Sequence, residues 1–317
     1  MNPSQESPHL FDSETVKRIN NDGRIPVVVT LAPTSLSAPT GPPPLHFLVS
    51  RQTYLHLGLS TAIRRLHPFA PIAFQGLKWQ EPDPGELKEE ETDTKEPIQP
   101  TDNSKSDLPD CWWEDEATQA PLRWQLFTGV LYDMHANHTL PWRLRLHFNN
   151  FPSQLLPFSI QALRSHFQNS IKQAIALRAG SGRAALQWMT KEAHDELWNN
   201  LQEAKCGSRH EWRSRITEDV TNQRIPVRVL LSSNSLPCLQ KSCLVDRQLR
   251  LGGLLRDWLP DLGFDRTMDT DQDSLADFSS AGWKIQGINP SLDLSVLDLW
   301  ECLCHPDSYL YIVVSMT

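Results

Sequence analysis

Hydrophobic residues between positions 159 and 178 recur at intervals of three and four. This spacing is the period of an α-helix, so the pattern predicts one amphipathic helix over these residues. The predicted buried stripe consists of Ile160, Leu163, Phe167, Ile171, Ala174 and Ile175. Lys172 lies off that stripe, because its neighbours at helical spacing include the polar residues Ser165, Gln168 and Asn169. We therefore expect Lys172 to face solvent or a partner.

A short segment occurs twice, once on each side of this helix. Residues 24–29 read RIPVVV and residues 224–229 read RIPVRV, and similar signals follow both copies in the same order. Such a repeat predicts two related domains around a helical middle. Each copy carries a proline in a β-branched run, which a first or edge strand accepts because proline has no N–H to donate.

The first copy opens a pattern of two strands, a helix and a late strand. Strands are predicted over residues 24–32, 45–51 and 142–148, a helix over 54–66, and a short strand with a helical turn over 121–135. This order is that of a β-grasp domain. Two segments compete for the third strand, Ile72 to Phe74 and Cys111 to Glu114.

The rest of the chain predicts further helices and a second unit of the same kind. Helices are predicted over residues 184–202 and 210–220, strands over 224–231, 242–245, 283–288 and 309–314, and further helices over 251–259 and 296–303. On the helix over residues 184–202, the positions predicted to face inward are Leu186, Met189, Ala193, Leu197 and Leu201. The second unit therefore has the complete β-grasp order.

The N-terminal region predicts a short helix over residues 13–20, stopped by Gly23. Its only apolar pair is Val16 and Ile19, so it must dock on something larger to be stable. Residues 20–22 are Asn, Asn and Asp, where an apolar residue would strengthen that docking.

The patterns together predict an α+β chain in four parts. These are a tail with a short helix over residues 1–23, a first β-grasp domain over 24–152 with a disordered insert at about 81–110, a helix-rich domain over 153–222, and a second β-grasp domain over 223–317.

Charge is concentrated in the insert. Residues 81–120 hold fourteen Asp and Glu against three Lys, so the remainder carries about +3 although the whole chain carries −8. Such a segment, with few aliphatic residues, is typical of a solvated loop. We expect no nucleic acid partner. Arg64 and Arg65 are candidates for contact with anionic lipid headgroups, although a solvated helix face explains them equally well.

The sequence contains few signs of catalytic chemistry. Six cysteines without a regular framework indicate reduced thiols, and the one-residue gap between Cys302 and Cys304 suits no zinc motif. His135 and His138 have a spacing that could bind a metal, but no third ligand accompanies them. No phosphate loop or nucleophile elbow occurs. Without a long apolar run or a signal peptide, we expect a soluble intracellular protein that needs no metal or cofactor.

Several short motifs carry a family resemblance. They are Gly23-Arg24-Ile25-Pro26, Pro121-Leu122-Arg123-Trp124 with Gly129, Leu131 and Asp133, Leu140-Pro141-Trp142, His147-Phe148 followed by Phe151-Pro152, and Leu197-Trp198. In order and spacing the chain resembles the autophagy-related protein 5 family. The resemblance implies two ubiquitin-like β-grasp domains flanking a helix-rich domain, which is the arrangement that the repeat predicts independently.

The resemblance also implies chemistry at one lysine. In this family a lysine on the first helix of the helical domain forms an isopeptide bond with the C-terminal glycine of autophagy-related protein 12. The matching segment is residues 165–172, so the implied acceptor is Lys172, one of ten lysines in the chain. Acceptance requires only an exposed amine that can lose its proton, because the neutral amine is the nucleophile. Catalysis then belongs to E1-like and E2-like enzymes, and the chain is a non-catalytic acceptor.

Further partners follow from the same resemblance. The conjugate is expected to act as an E3-like factor that promotes lipidation of autophagy-related protein 8 during autophagosome formation. A helix of autophagy-related protein 16 is expected in a groove beside the N-terminal helix, with Val16 and Ile19 as contacts or as residues that pack on their own sheet. The expected location is cytoplasmic, with peripheral recruitment to the preautophagosomal structure or phagophore membrane.

Two other functions are compatible with the residues. One is an unconjugated adaptor of two domains that binds a partner helix. The other is a cysteine-dependent ligase, which would require a reductant-sensitive thioester on one of the six cysteines.

Overall fold

A computed structural model describes residues 13–37, 40–71, 108–136, 139–179, 190–203, 224–232, 238–260 and 281–316. The predictions made for residues 72–74, 184–189 and 210–220, and for most of the acidic insert, lie outside these residues. Leu108 is already buried in the core of the first domain, so the chain has rejoined the fold slightly before the predicted end of the insert near residue 110.

In its described residues, the first domain consists of a five-stranded sheet with helices. Its elements are β1 Arg24–Leu31, β2 Leu45–Ser50, α2 Leu55–Gly58, α3 Ser60–Leu66, β3 Trp112–Asp115, β4 Pro121–Leu122, α4 Thr128–His135 and β5 Trp142–His147. The strand order is β2-β1-β5-β3-β4, and β1 and β5 are parallel. The single helix predicted over residues 54–66 is divided at Leu59, whose φ of −112° and ψ of 18° are not helical.

The described residues of the second domain repeat this topology with one strand fewer. Its elements are β6 Arg224–Leu231, β7 Leu239–Leu244, α7 Leu251–Trp258, β8 Ala281–Lys284, α8 Val296–Leu303 and β9 Leu310–Met316. The strand order is β7-β6-β9-β8, with β6 and β9 parallel. The predicted pair of β-grasp units is therefore confirmed.

The proline of each repeat lies in an interior strand rather than in an edge strand. β1 and β6 each have neighbours on both sides. Pairing with the parallel neighbour begins at Val27 and Val227, one residue after Pro26 and Pro226. Each proline is tolerated because it stands where its strand has a partner on one side only.

The third strand of the first domain is β3, so the alternative from Cys111 to Glu114 is confirmed. It pairs with β5, which places Trp113 opposite Leu146, and the indole of Trp113 is fully buried. Burying an aromatic side chain of this size is a large hydrophobic gain for the sheet.

Two helices make up the described part of the middle region. They are α5 Ile160–Ala179 and α6 Lys191–Gln202, and the hydroxyl of Thr190 caps α6 by accepting from the Ala193 N–H at 3.3 Å. Leu201 is buried as the sequence pattern predicted, whereas Ala193 and Leu197 are only half-buried. Trp198 is also buried, although the pattern did not select it.

The short helix at the N-terminus is α1 Ser13–Asp22. It packs on α8 of the second domain, and Val16 contributes to that domain's hydrophobic core. The residues that the structure describes form three hydrophobic clusters, one inside each sheet domain and one around α5.

Candidate functional site

Lys172 lies on the outer face of α5 and is exposed. Five residues on the opposite face are exposed by 3% or less, and they are Leu163, Phe167, Ile171, Ala174 and Ile175. The sequence pattern predicted both faces, because a helix that buries one stripe leaves the opposite positions in solvent. Lys172 can therefore reach a partner without any change in the core.

The buried face of α5 contacts both sheet domains. Phe167 meets the ring of Tyr54 edge to face, at 6.4 Å between centroids. Tyr54 stacks on Phe127 at 4.5 Å, and Phe127 contacts Tyr311 of the second domain at 5.9 Å. This aromatic cluster fixes the helix by apolar burial from two directions. The helix that carries Lys172 is thus a rigid platform.

A buried polar network ties α5 to the second domain two residues before Lys172. The Ser170 hydroxyl donates to Asp307 Oδ2 at 2.7 Å, and the Tyr311 hydroxyl donates to the same oxygen at 2.7 Å. Arg228 lies 3.1 Å from this oxygen, with its guanidinium over the ring of Tyr309 at 3.8 Å. Although burial opposes it, Tyr311 and Asp307 raise the pKa of Arg228 above its usual value. The carboxylate of Asp307 thus joins two domains.

On the other side of α5, α6 brings charged side chains to the helix. Arg164 of α5 forms an ion pair with Asp195 of α6. The neighbouring His194 has a lowered pKa because of burial first and the positive charge of Lys172 second, with Asp195 opposing both. The positive charge of Lys172 therefore acts on the imidazole of His194.

The N-terminal helix is held by Asn20, which the sequence interpretation took as a weakness. Its side chain donates to the Cys302 carbonyl of the second domain at 3.1 Å and accepts from the Gln52 amide of the first domain at 3.0 Å. Asn20 is buried and satisfied, so it strengthens the docking of α1. Of the predicted partner contacts, Val16 is half-buried, whereas Ile19 is 63% exposed.

Arg51 lies at a direct contact between the two sheet domains. Its guanidinium bonds both carboxylate oxygens of Asp133, at 2.7 and 2.6 Å, and Gly287 of the second domain donates its N–H to the same carboxylate at 2.9 Å. A Cβ atom on Gly129 would lie 2.9 Å from Arg51. Gly129 and Asp133, two residues of the downstream motif, therefore both contact this arginine. Sequence reasoning noted the motif but not its partner.

The described residues contain no group of three His, Cys, Asp or Glu side chains able to hold a metal ion, and His138 lies outside them. Burial raises the pKa of the Cys111 thiol strongly and raises the pKa values of Cys243 and Cys302 to about 11. Protonated thiols are poor nucleophiles, so these three sites do not favour a cysteine-dependent ligase. Among the helices of the described ranges, none has the length and apolar character to cross a membrane.

Three family models match the chain in succession. Residues 92–148 match "Autophagy protein ATG5, UblA domain", residues 160–208 match "Autophagy protein ATG5, alpha-helical bundle region", and residues 224–314 match "Autophagy protein ATG5, UblB domain". Together they span more than half of the 317 residues. Two Ubl domains therefore flank a helical bundle region.

Curated relatives carry the same description. "Autophagy protein 5" of Pichia angusta is 23% identical over 287 residues, which covers 86% of this chain and 87% of that protein. "Autophagy protein 5" of Debaryomyces hansenii is 25% identical over 67% of this chain and 77% of its own length. The relative from Aspergillus clavatus is 30% identical over 40% of this chain and 47% of its own length.

A solved structure agrees in fold. The crystal structure of Kluyveromyces marxianus Atg5 superposes with a TM-score of 0.67, covering 95% of this chain and 99% of that chain at 19% identity. At 19% identity, this similarity supports a shared fold and no more. Combined with the succession of three domain models, it leads to one conclusion: this chain belongs to the autophagy protein 5 family.

Proposed function

We propose that this autophagy protein is the acceptor of autophagy-related protein 12, joined to it through an isopeptide bond at Lys172. The observation that carries the proposal is the exposure of Lys172 on a helix whose opposite face is buried against both Ubl domains. An amine presented on such a platform can approach the thioester of an E2-like enzyme while the acceptor itself stays folded.

The conjugate then serves as an E3-like factor. In this role it promotes the transfer of autophagy-related protein 8 to phosphatidylethanolamine, and the chemistry stays with the E2-like enzyme. Support comes from the raised thiol pKa values of Cys111, Cys243 and Cys302, since none of these thiols is activated for a transfer of its own.

A helix of autophagy-related protein 16 is the second proposed partner, bound beside α1. Of the two candidate contacts, Ile19 is the better supported because it is exposed. Val16 instead packs on the core of the second domain. An apolar side chain of this size, exposed on a short docked helix, fits recognition of an amphipathic helix. The complex is proposed to work in the cytoplasm and to be recruited peripherally to the preautophagosomal or phagophore membrane.

The test replaces Lys172 by arginine, which keeps the charge but cannot be conjugated in the same place. In cells lacking the native protein, the variant should lose the higher-mass species on immunoblots and should lose lipidation of autophagy-related protein 8. Lys191→Arg, an exposed lysine on α6, is the matched control and should leave both unchanged. A shifted band that survives Lys172→Arg would reject Lys172, and lipidation that survives without any band would favour the unconjugated adaptor.

A further inference from the structure

Two side chains of α5 attach this helix to the same part of the second domain. The Ser170 hydroxyl donates to Asp307 Oδ2 at 2.7 Å, and the Arg178 guanidinium lies over the Trp300 ring, 4.5 Å from its centroid. The Trp300 indole in turn donates to the carbonyl of Ser308, the residue after Asp307, at 2.8 Å. Both contacts therefore lead to the turn that precedes β9. They are about two helical turns apart, or about 12 Å along the axis of α5.

The contact through Ser170 has a direction that the apolar packing lacks. Ser170 is on the buried face of α5 and is 2% exposed, and a buried hydroxyl costs free energy unless it is bonded. Asp307 accepts its hydrogen bond and is itself held, because its Oδ1 accepts from the Tyr309 N–H at 3.2 Å. Apolar burial favours many rotations of a helix on a sheet, whereas a hydrogen bond favours one. The Ser170 bond therefore selects a rotation of α5 on the second domain.

The rotation of α5 decides where Lys172 points. Lys172 follows Ser170 by two residues, which places it about 200° around the helix, on the exposed face. A rotation of about 20°, at a side-chain radius of about 6 Å, displaces the side chain by about 2 Å. Misplacing a reacting group by about 1 Å can cost about a hundredfold in rate. A bond that holds the rotation of α5 therefore bears on any reaction of this lysine.

We propose that Ser170 is a positioning residue for Lys172, and that its hydrogen bond to Asp307 fixes the rotation at which α5 presents the lysine amine. This rests on the proposed function and adds to it a contribution from the second domain. Setting the register between packed elements is the best-attested use of a buried polar contact. The second domain thus helps to place the nucleophile without touching the bond that forms.

The chemical step at Lys172 is unchanged by this role. The ammonium first loses one proton to solvent, and the neutral nitrogen then attacks the thioester carbonyl carbon of the modifier. The C–N bond forms and the C–S bond breaks, so the thiolate of the E2-like enzyme leaves with the electron pair. The second proton of the attacking nitrogen passes to solvent. Ser170 exchanges no proton in this sequence.

Spin-label distances test the positioning without any conjugation. Labels are placed at Lys172→Cys and at Arg256→Cys, an exposed position on α7 of the second domain. The full-length protein also carries serine in place of the exposed Cys238 and of Cys206. Adding Ser170→Ala should shift or widen the distance distribution by about 2 Å, because α5 is then free to rotate. Identical distributions with and without Ser170→Ala would overturn the proposal.

Thr190→Ala is the matched control for both experiments. It removes one hydrogen bond, the 3.3 Å cap of α6, and so lowers stability to a similar degree, but it leaves the bond between Ser170 and Asp307 intact. The distance distribution should therefore keep its wild-type position and width in this variant.

Single-turnover conjugation with purified E1-like and E2-like enzymes tests the consequence. At saturating loaded E2-like enzyme, Ser170→Ala should slow formation of the conjugate by about fivefold, the factor that corresponds to one ordinary hydrogen bond. The concentration of loaded enzyme that gives half the maximal rate should stay unchanged, because the docking surface is intact. Thr190→Ala should conjugate at the wild-type rate. Circular dichroism checks that both variants are folded at the assay temperature.

The outcomes separate the positioning role from the acceptor assignment. If Lys172→Arg blocks conjugation but Ser170→Ala conjugates at the wild-type rate, the positioning role is wrong and the acceptor stands. Equal slowing in Ser170→Ala and Thr190→Ala would trace the effect to stability alone and would also reject the role. If Lys172→Arg still conjugates, the acceptor assignment is wrong whatever Ser170 does.

Discussion

Asp307 is the residue on which the joint between α5 and the second domain depends. Its carboxylate is fully buried and is bonded by Ser170, Tyr311 and Arg228. Buried charges are tolerated when they are paired, and removing one partner leaves the other without compensation. Loss of one partner in this network should therefore cost more stability than loss of a hydrogen bond between uncharged groups.

Replacing Asp307 by asparagine should lower the free energy of unfolding by about 3 kcal/mol, since Arg228 stays buried without its counter-ion. Denaturation in urea followed by tryptophan fluorescence measures the change. Asp298→Asn, an exposed carboxylate on α8, is the control and should stay within about 0.5 kcal/mol of wild type. Equal loss in both variants would mean that the Arg228 pair has no special weight.

A buried histidine gives the stability a pH dependence. Burial lowers the pKa of His56 to about 4, although a bond to the Cys111 carbonyl opposes the decrease. The unfolded chain binds a proton on this ring below about pH 6.5, whereas the folded chain does not bind it until about pH 4. The free energy of unfolding should therefore fall as the pH falls through that window, by about 3 kcal/mol in all from this residue.

Replacing His56 by glutamine should flatten that pH dependence, because the new side chain does not titrate. Urea midpoints between pH 7 and pH 4 measure the slope for wild type and variant. His147 should keep a part of the slope in the variant, since burial lowers its pKa to about 4 as well. His46→Gln, an exposed position on β2, is the control. Parallel slopes in wild type and His56→Gln would show that the ring is not the source.

The sequence predicts the environment of some residues but not of others. The exposure of Lys172 follows from the period of its own helix, which is local information. The role of Asn20 depends on Cys302, 282 residues away, so no local pattern carries it. A short polar residue at a helix end has many uses, and only the fold decides between them.

At the scale of elements, α5 owes its stability to tertiary burial rather than to helix propensity. Its buried stripe contacts aromatic rings from both Ubl domains. Most helical stability in proteins comes from such an amphipathic face. The same stripe predicted the helix from the sequence to within one residue at each end.

Phe167→Ala should therefore lower the free energy of unfolding by about 3 to 5 kcal/mol, because it removes a fully buried ring between Tyr54 and Trp198. Gln173→Ala on the exposed face of the same helix should change it by less than about 0.5 kcal/mol. Urea unfolding of both variants measures the difference. A small loss for Phe167→Ala would indicate that the aromatic cluster repacks around the cavity.

Other elements were harder to predict from the sequence, because tertiary contacts determine where they form and end. Two segments could supply the third strand, and β3 is that strand because Trp113 fills the core of the sheet. The predicted helix over residues 54–66 divides at Leu59, where the backbone leaves helical geometry while the side chain stays buried. A hydrophobic period shows which face is buried but not where a helix bends.

At the scale of the whole molecule, the sequence predicted two domains but not how they meet. The repeat at residues 24–29 and 224–229 forms the corresponding strand of each sheet, and both copies begin to pair with their parallel neighbour at the same position, Val27 and Val227. The interface instead depends on Arg51 with its partner Asp133 in the first domain, and on Gly287 in the second. These positions belong to no shared period, so their proximity emerges only from the fold.

Gly287 is a position at which this interface leaves little room for a side chain. Its φ is +83°, and a Cβ atom there would lie 3.0 Å from the Arg51 guanidinium carbon, so both backbone strain and crowding oppose a side chain. Gly287→Ala should lower the free energy of unfolding by about 1 to 3 kcal/mol and speed hydrogen exchange in α4 and around residue 287. Gly253→Ala is the matched control, because nothing lies within 4 Å of its Cβ position in α7 and alanine favours a helix. The control should be neutral or slightly stabilising, and faster exchange confined to residue 287 would show that the contact does not hold the two domains together.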